Sequence, residues 1–191
     1  MITTQDKEHI RRSWKLVVPI AETAADLFYK RLFELKPEYR SLFPDDMTAQ
    51  KRKLLRMLAF IVRALDFPEK DWRDDVPAEE DLLLVVLALG RRHSELYRIP
   101  DESYVTVGEA LLWTLNYGLG EAFTESVREA WLRVYTLLVR TMKLGSKMVD
   151  RSEVTTSAQV ALRLGQESLL VDMAELGIDD AKMAPFSGET V

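Results

Sequence analysis

The chain reads as all-α, and three observations carry that reading. Apolar residues recur at three- and four-residue spacing through nearly every segment. No stretch shows the sustained polar/apolar alternation, bounded by turns, of a half-buried strand. The prolines at 19, 37, 44, 68, 77 and 100 punctuate the periodic segments instead of interrupting them.

In order, Thr4 reads as the N-cap of a first helix, with Lys7 standing where a capping box would place an acid. Ile10, Trp14, Val17 and Val18 form its apolar face, and Pro19 marks the break before the next helix. A second helix over residues 21–35 carries Leu27, Phe28, Leu32 and Phe33 and stops before Pro37. A short helix or turn covers residues 39–43, closed by Pro44-Asp45-Asp46. From Thr48 to about Leu65, Leu54, Leu55, Leu58, Ile61, Val62 and Leu65 line one face. Lys51, Arg52, Lys53, Arg56 and Arg63 make the polar face of that helix strongly basic.

Residues 66–77 hold two prolines and a high density of charge, the composition of an exposed connector. Residues 78–97 form a helix that is apolar nearly all round in its middle, as a sandwiched helix would be. Pro100-Asp101 opens another, with Val107, Leu111, Leu112 and Leu115, ending near Gly118 and Gly120. Thr124 opens the last long one, with Val127, Trp131, Val134, Leu138 and Met142, ending at Gly145. Beyond it the character changes: residues 146–156 are polar, and 158–170 suit an amphipathic helix. The expected organisation is a domain over 1–145 and a C-terminal extension over 146–191, partly helical or disordered.

Composition narrows the chemistry. A chain of 191 residues with 47% hydrophobic and 30% charged residues has ample material for a core. A formal charge of −5 argues against nucleic acid as a partner. With no cysteine, disulfides, thiolate zinc sites, iron–sulfur clusters and thiol nucleophiles are excluded. The N-terminus lacks an apolar signal core, and the longest apolar run, residues 82–89, is too short to span a bilayer. The expectation is a soluble cytoplasmic protein.

The chain has only two histidines, His9 and His93. His93 follows the apolar run and two arginines, Arg91 and Arg92, so a large apolar ring with anionic edges is accommodated beside it. Neutral imidazole in such a place suits a haem iron; a core histidine satisfied by a backbone carbonyl is the plainer reading. Tyr29 shares the apolar face of Phe28 and Phe33, where its hydroxyl needs a partner.

The blocks Ile10-Arg11-Arg12-Ser13-Trp14, Leu27-Phe28-Tyr29-Lys30-Arg31-Leu32-Phe33, Leu42-Phe43, Gln50-Lys51-Arg52-Lys53-Leu54 and Leu89-Gly90-Arg91-Arg92-His93 occur in a telling order. Two further blocks, residues 104–112 and 129–135, follow them. In that order and spacing the chain resembles a haem-binding globin of the bacterial single-domain type, related to flavohaemoglobin globin domains and to neuroglobin. The resemblance implies a globin fold of six to eight helices around a haem b (iron protoporphyrin IX) pocket. It implies His93 as the proximal iron ligand and Phe43 as the aromatic against the haem face. Gln50 would take the distal position, Leu54 the apolar distal contact one turn later, and Tyr29 would reach the ligand from the second helix. Leu89, Tyr97 and Val107 would touch the haem, and Lys53 and Arg92 its propionates, although a solvated basic face serves equally for those two.

With His9 on the first helix, no second imidazole stands opposite, so the bis-histidine arrangement of neuroglobin is not expected. Donors from Gln50 and Tyr29 would stabilise a diatomic ligand that acquires negative charge. The resemblance therefore implies tight binding of O₂, and of NO and CO, for oxygen binding or nitric oxide dioxygenation with an external reductase. A gas or redox sensor signalling through residues 146–191, including by a homodimer contact, is the alternative. The chain departs from the family pattern in its longer connector, in one extra residue between His93 and Tyr104, and in the C-terminal extension.

Overall fold

The computed structural model describes residues 2–65, 82–97 and 100–147. Among the described residues run α1 (Thr4–Val17), α2 (Ala21–Leu35), α3 (Thr48–Ala64), α4 (Leu82–Tyr97), α5 (Ser103–Leu119) and α6 (Glu125–Lys147), and no strand. Short 3₁₀ segments at Val18–Ile20, Pro37–Leu42 and Gly120–Ala122 join them. The expected connector at 66–77, the start of α4 before Leu82 and the extension beyond Lys147 lie outside the described residues.

The first helix starts one residue earlier than its sequence suggests. Thr3, not Thr4, is the cap, and this brings Asp6 rather than Lys7 to the third helical position. The Thr3 N–H donates to Asp6 Oδ2 at 2.8 Å and the Asp6 N–H to Thr3 Oγ1 at 3.1 Å, a complete capping box. Asp6 also accepts from Arg133 of α6 at 2.7 Å, so one buried carboxylate both caps α1 and pins it to α6. Burial pushes the Asp6 carboxyl up, but the Thr3 N–H, the Thr3 hydroxyl and the Arg133 guanidinium outweigh it and hold it below the usual carboxylate value. Val18, expected on the apolar face of α1, is 54% exposed, because the helix gives way at Val17 to the Pro19-containing 3₁₀ turn.

α5 and α6 form the spine. α2 packs on α5, while α1 and α4 pack on α6. Ile10, Leu112, Ala130 and Trp131 are essentially sealed from solvent; each aliphatic side chain so buried contributes about 1.5–3 kcal/mol. Across the spine, Trp131 Nε1 donates to Ser13 Oγ at 2.9 Å, and Ser13 in turn donates to the His9 carbonyl at 2.8 Å. Neither buried donor is left unsatisfied.

Two glycines read as helix ends behave differently from one another. Gly120 does end α5, with φ +53° in the left-handed region. Gly145 does not end α6, which continues to Lys147. A Cβ on Gly145 would lie 2.1 Å from the Leu87 carbonyl oxygen of α4, and one on Gly90 would lie 2.0 Å from the Met142 carbonyl oxygen of α6. The two helices therefore cross backbone to backbone at a reciprocal pair of glycines.

Gly90→Ala gains helix propensity of about 1 kcal/mol but must part α4 from α6. We expect a net loss of about 1–3 kcal/mol in urea unfolding; an unchanged or raised midpoint contradicts the crossing. For Asp6 the folded-state value is depressed, so its stabilisation is present above the unfolded value and lost as pH falls through the folded one. Asp6→Asn should accordingly destabilise at pH 7, and the difference from the parent should shrink as pH drops below the ordinary Asp range. A difference that stays constant with pH assigns Asp6 a purely steric role.

Candidate functional site

α4 owes its place to the glycine crossing, and His93 stands three residues beyond Gly90. Val86, Leu89 and His93 recur at helical spacing on one stripe of α4; Val86 is buried, while Leu89 and His93 are half-buried. His93 Nδ1 is shielded from water, and burial holds the imidazole below its usual value. At neutral pH it is therefore uncharged, the form that ligates metals.

The opposite wall comes from α2, α3 and the turn between them. Tyr29 is buried in an aromatic group, its ring centroid 5.0 Å from Phe28, 6.0 Å from Phe33 and 5.5 Å from Phe43. Phe33 and Phe43 meet edge to face at 5.5 Å. The Tyr29 hydroxyl points at the backbone carbonyl of Gln50, at 3.5 Å. That is the outer limit of a hydrogen bond, so the proton is weakly held and free to serve a better acceptor. Burial pushes the Tyr29 phenol up, ahead of the opposing contact with Gln50, and it stays protonated. Tyr29, Phe43 and Gln50, far apart in sequence, thus form one cluster.

Phe43 is held by its own loop. Arg40 donates to the Phe43 and Pro44 carbonyls, at 3.1 Å each, and lies over the Phe33 ring at 5.7 Å. The Tyr39 hydroxyl and Ser103 Oγ, 2.9 Å apart, tie this turn to the start of α5.

Between the two walls, α3 touches α4 only sparsely, whereas α4 packs extensively on α6. Leu54, Met57 and Leu58 of α3, Leu89 of α4 and Val105 and Val107 of α5 are half-buried beside the core. These are the surfaces a flat apolar group inserted between α3 and α4 would cover, and with a neutral imidazole on one wall they fit haem. Lys53 and Arg92 are exposed, on α3 and α4 respectively. The side chain of Tyr97 lies outside the described residues.

Sequence reasoning missed the support beneath α5. Tyr135 of α6 is buried and donates its hydroxyl to the Tyr104 carbonyl. Burial, reinforced by Tyr104, drives the phenol far above its usual value. A Cβ on Gly108 would lie 2.6 Å from Tyr135 Cε1, so this glycine lets the ring lie against α5. Tyr135 and Gly108 lie within the blocks that carry the family resemblance, but nothing in their spacing signals the bond. His9, the other histidine, sits half-buried on α1, with its Nε2 shielded from water.

The globin family profile matches residues 26–142, which include every candidate named above except His9. Over 151 residues the chain is 32% identical to neuroglobin of Chaenocephalus aceratus, covering 75% of this chain and 92% of that protein. Neuroglobin-2 of Oncorhynchus mykiss is 31% identical over 151 residues, with the same coverage of each chain. Neuroglobin of Danio rerio is 31% identical over 153 residues, again covering 75% and 92%.

Because the Tyr29 hydroxyl makes only a long contact, Tyr29→Phe should cost less than about 1 kcal/mol of unfolding free energy. Tyr29→Ala, which empties the centre of the aromatic group, should cost about 3–5 kcal/mol. A loss of 2 kcal/mol or more in Tyr29→Phe, on the order of a full buried hydrogen bond to a lone acceptor, identifies the hydroxyl as a structural anchor rather than a spare donor.

Proposed function

The chain belongs to the globin family, and from that premise we propose that it is a haem protein, holding its iron through His93 and taking a diatomic gas on the opposite side. The observation that carries this reading is a half-buried, uncharged imidazole on a helix that leaves a thinly filled, apolar seam against α3. When bound, haem b supplies an open iron position that takes up O₂, NO or CO and exchanges single electrons.

The rest falls to the chain's own groups. The glycine crossing sets the height of His93 over the seam. Phe43, buttressed by Phe33 and Arg40, would lie against the group held there. Leu54 excludes water one turn along α3 from Gln50. Lys53 and Arg92, both exposed, would pair with propionates. Tyr29 and Gln50 supply O–H and N–H donors, and each donor to a charged acceptor is worth about 1–3 kcal/mol. That is roughly 5- to 150-fold per donor in the dissociation rate of a polarised ligand.

Slow release favours reaction over delivery. We read the activity as nitric oxide dioxygenation, in which NO, O₂ and one electron combine to nitrate, the electron coming from an external donor. The pairing of Tyr29 with Gln50 in place of a second histidine supports a bacterial single-domain type related to flavohaemoglobin globin domains. Among the described residues no helix is long and apolar enough to cross a membrane.

The test is the absorption spectrum of the purified protein in its ferric, ferrous and O₂-bound forms, followed by O₂ dissociation kinetics. We expect a ferrous form without a second protein ligand, and faster O₂ release in both Gln50→Leu and Tyr29→Phe. A ferrous spectrum of the bis-imidazole kind, or unchanged rates in both variants, refutes the distal assignment.

A further inference from the structure

We infer that the outer face of α3 is the docking surface for an acidic one-electron carrier protein, the external donor that the proposed activity requires. The inference rests on that activity for its purpose, but its surface stands on separate observations. α3 carries Lys51, Arg52, Lys53, Arg56 and Arg63 and no acid, in a chain whose formal charge is −5. Arg52, Arg56 and Arg63 follow one another at four- and seven-residue spacing, so they form a single stripe roughly 16 Å long at 1.5 Å per residue. All three are exposed, with Lys53 exposed on the flank.

Several exposed or half-exposed cations elsewhere hold acids of their own: Arg12 with Glu8 at 2.6 Å, Arg128 with Glu125 at 2.8 Å, Arg133 with Glu129 at 2.7 Å, Lys143 with Asp101 at 3.2 Å. Lys51, on the side of α3, holds Asp26. Among the described residues no carboxylate lies within ion-pair distance of Arg52, Arg56 or Arg63; Arg63 instead lies over the Phe60 ring at 5.9 Å. A solvated stripe of one sign on an oppositely charged protein is a directional attractor for acidic surfaces.

Position supplies the link to function. Gln50, Leu54 and Ile61 share the spacing of the stripe but lie on the opposite side of the same helix, Ile61 in the core and the other two half-buried at its edge. A partner seated on the stripe is separated from the seam by one helix diameter, about 10 Å. One electron would pass from the reduced partner to the haem that His93 would hold, and the partner would leave oxidised by one electron. The proposed activity needs a donor of single electrons, which an acidic carrier protein supplies and a nucleic acid does not.

The test uses the full chain and reduced flavodoxin as the acidic, one-electron probe. Binding is followed by calorimetry at 20 and 200 mM salt, and haem reduction by stopped flow under CO. We expect binding that weakens at least tenfold between the two salt concentrations, and at least tenfold again at low salt in Arg52→Glu/Arg56→Glu/Arg63→Glu. Chemically reduced variant should bind CO at the parent rate, which keeps a failed surface distinct from a failed haem site. The milder Arg52→Gln/Arg56→Gln should give an intermediate loss, which a misfolded triple variant cannot mimic. Parent and triple variant binding flavodoxin equally overturns the inference, as does tighter binding to duplex DNA or to anionic phospholipid vesicles. Failure of the parent to bind at 20 mM salt also overturns it, the result expected if the acid-rich residues 66–81 of the same chain already satisfy the stripe.

Discussion

α4 can stand where it does only because two helices touch through bare backbone. Gly90 faces the Met142 carbonyl and Gly145 faces the Leu87 carbonyl, and any side chain at either position would occupy space already filled. Close approach lets α4 lie deep against α6, burying Val86 and Leu87. It also fixes where along α4 His93 stands, half-buried three residues beyond the crossing. The rest follows from that placement: α3 and α4 touch only sparsely, and Leu54, Met57, Leu58 and Leu89 stay half-buried beside the core.

The far wall is held by a different kind of contact. Tyr29 and Phe33 each meet Phe43 edge to face, and the loop bearing Phe43 is clamped by Arg40 and tethered to α5 through Tyr39 and Ser103. Aromatic packing of this sort is stiff, with few rotamers to lose. A soft wall would let Gln50 and Tyr29 drift, and donors that drift stabilise nothing. α3 then divides between its two faces: an apolar one at the edge of the core, a cationic one toward water.

Periodicity in the sequence was enough for the helices. Residues 21–35 were legible as a helix from Leu27, Phe28, Leu32, Phe33 and the stop before Pro37, and α2 has those bounds. Local signals failed where two readings share a residue type. Thr3 and Thr4 both suit a cap, and Asp6 at the third helical position, closing the box with Thr3, decides between them. Gly145 looks like a helix stop, but a glycine at a crossing is locally identical to one at an end. The candidate site was legible in its residues and not in its supports. His93, Phe43, Gln50 and Tyr29 stood out through rarity and the family resemblance. The Tyr135–Tyr104 bond, the Arg40 clamp and the Tyr39–Ser103 tether stayed hidden, since such contacts join residues whose partners no spacing rule connects.

Whether the crossing of α4 and α6 serves to present His93 to iron is decided by the resonance Raman spectrum of the ferrous, ligand-free protein. An iron–imidazole stretching band should be present in the parent, absent in His93→Gly, and restored when free imidazole is added to that variant. A band that survives unaltered in His93→Gly contradicts the assignment of His93 and the role given to the crossing that positions it.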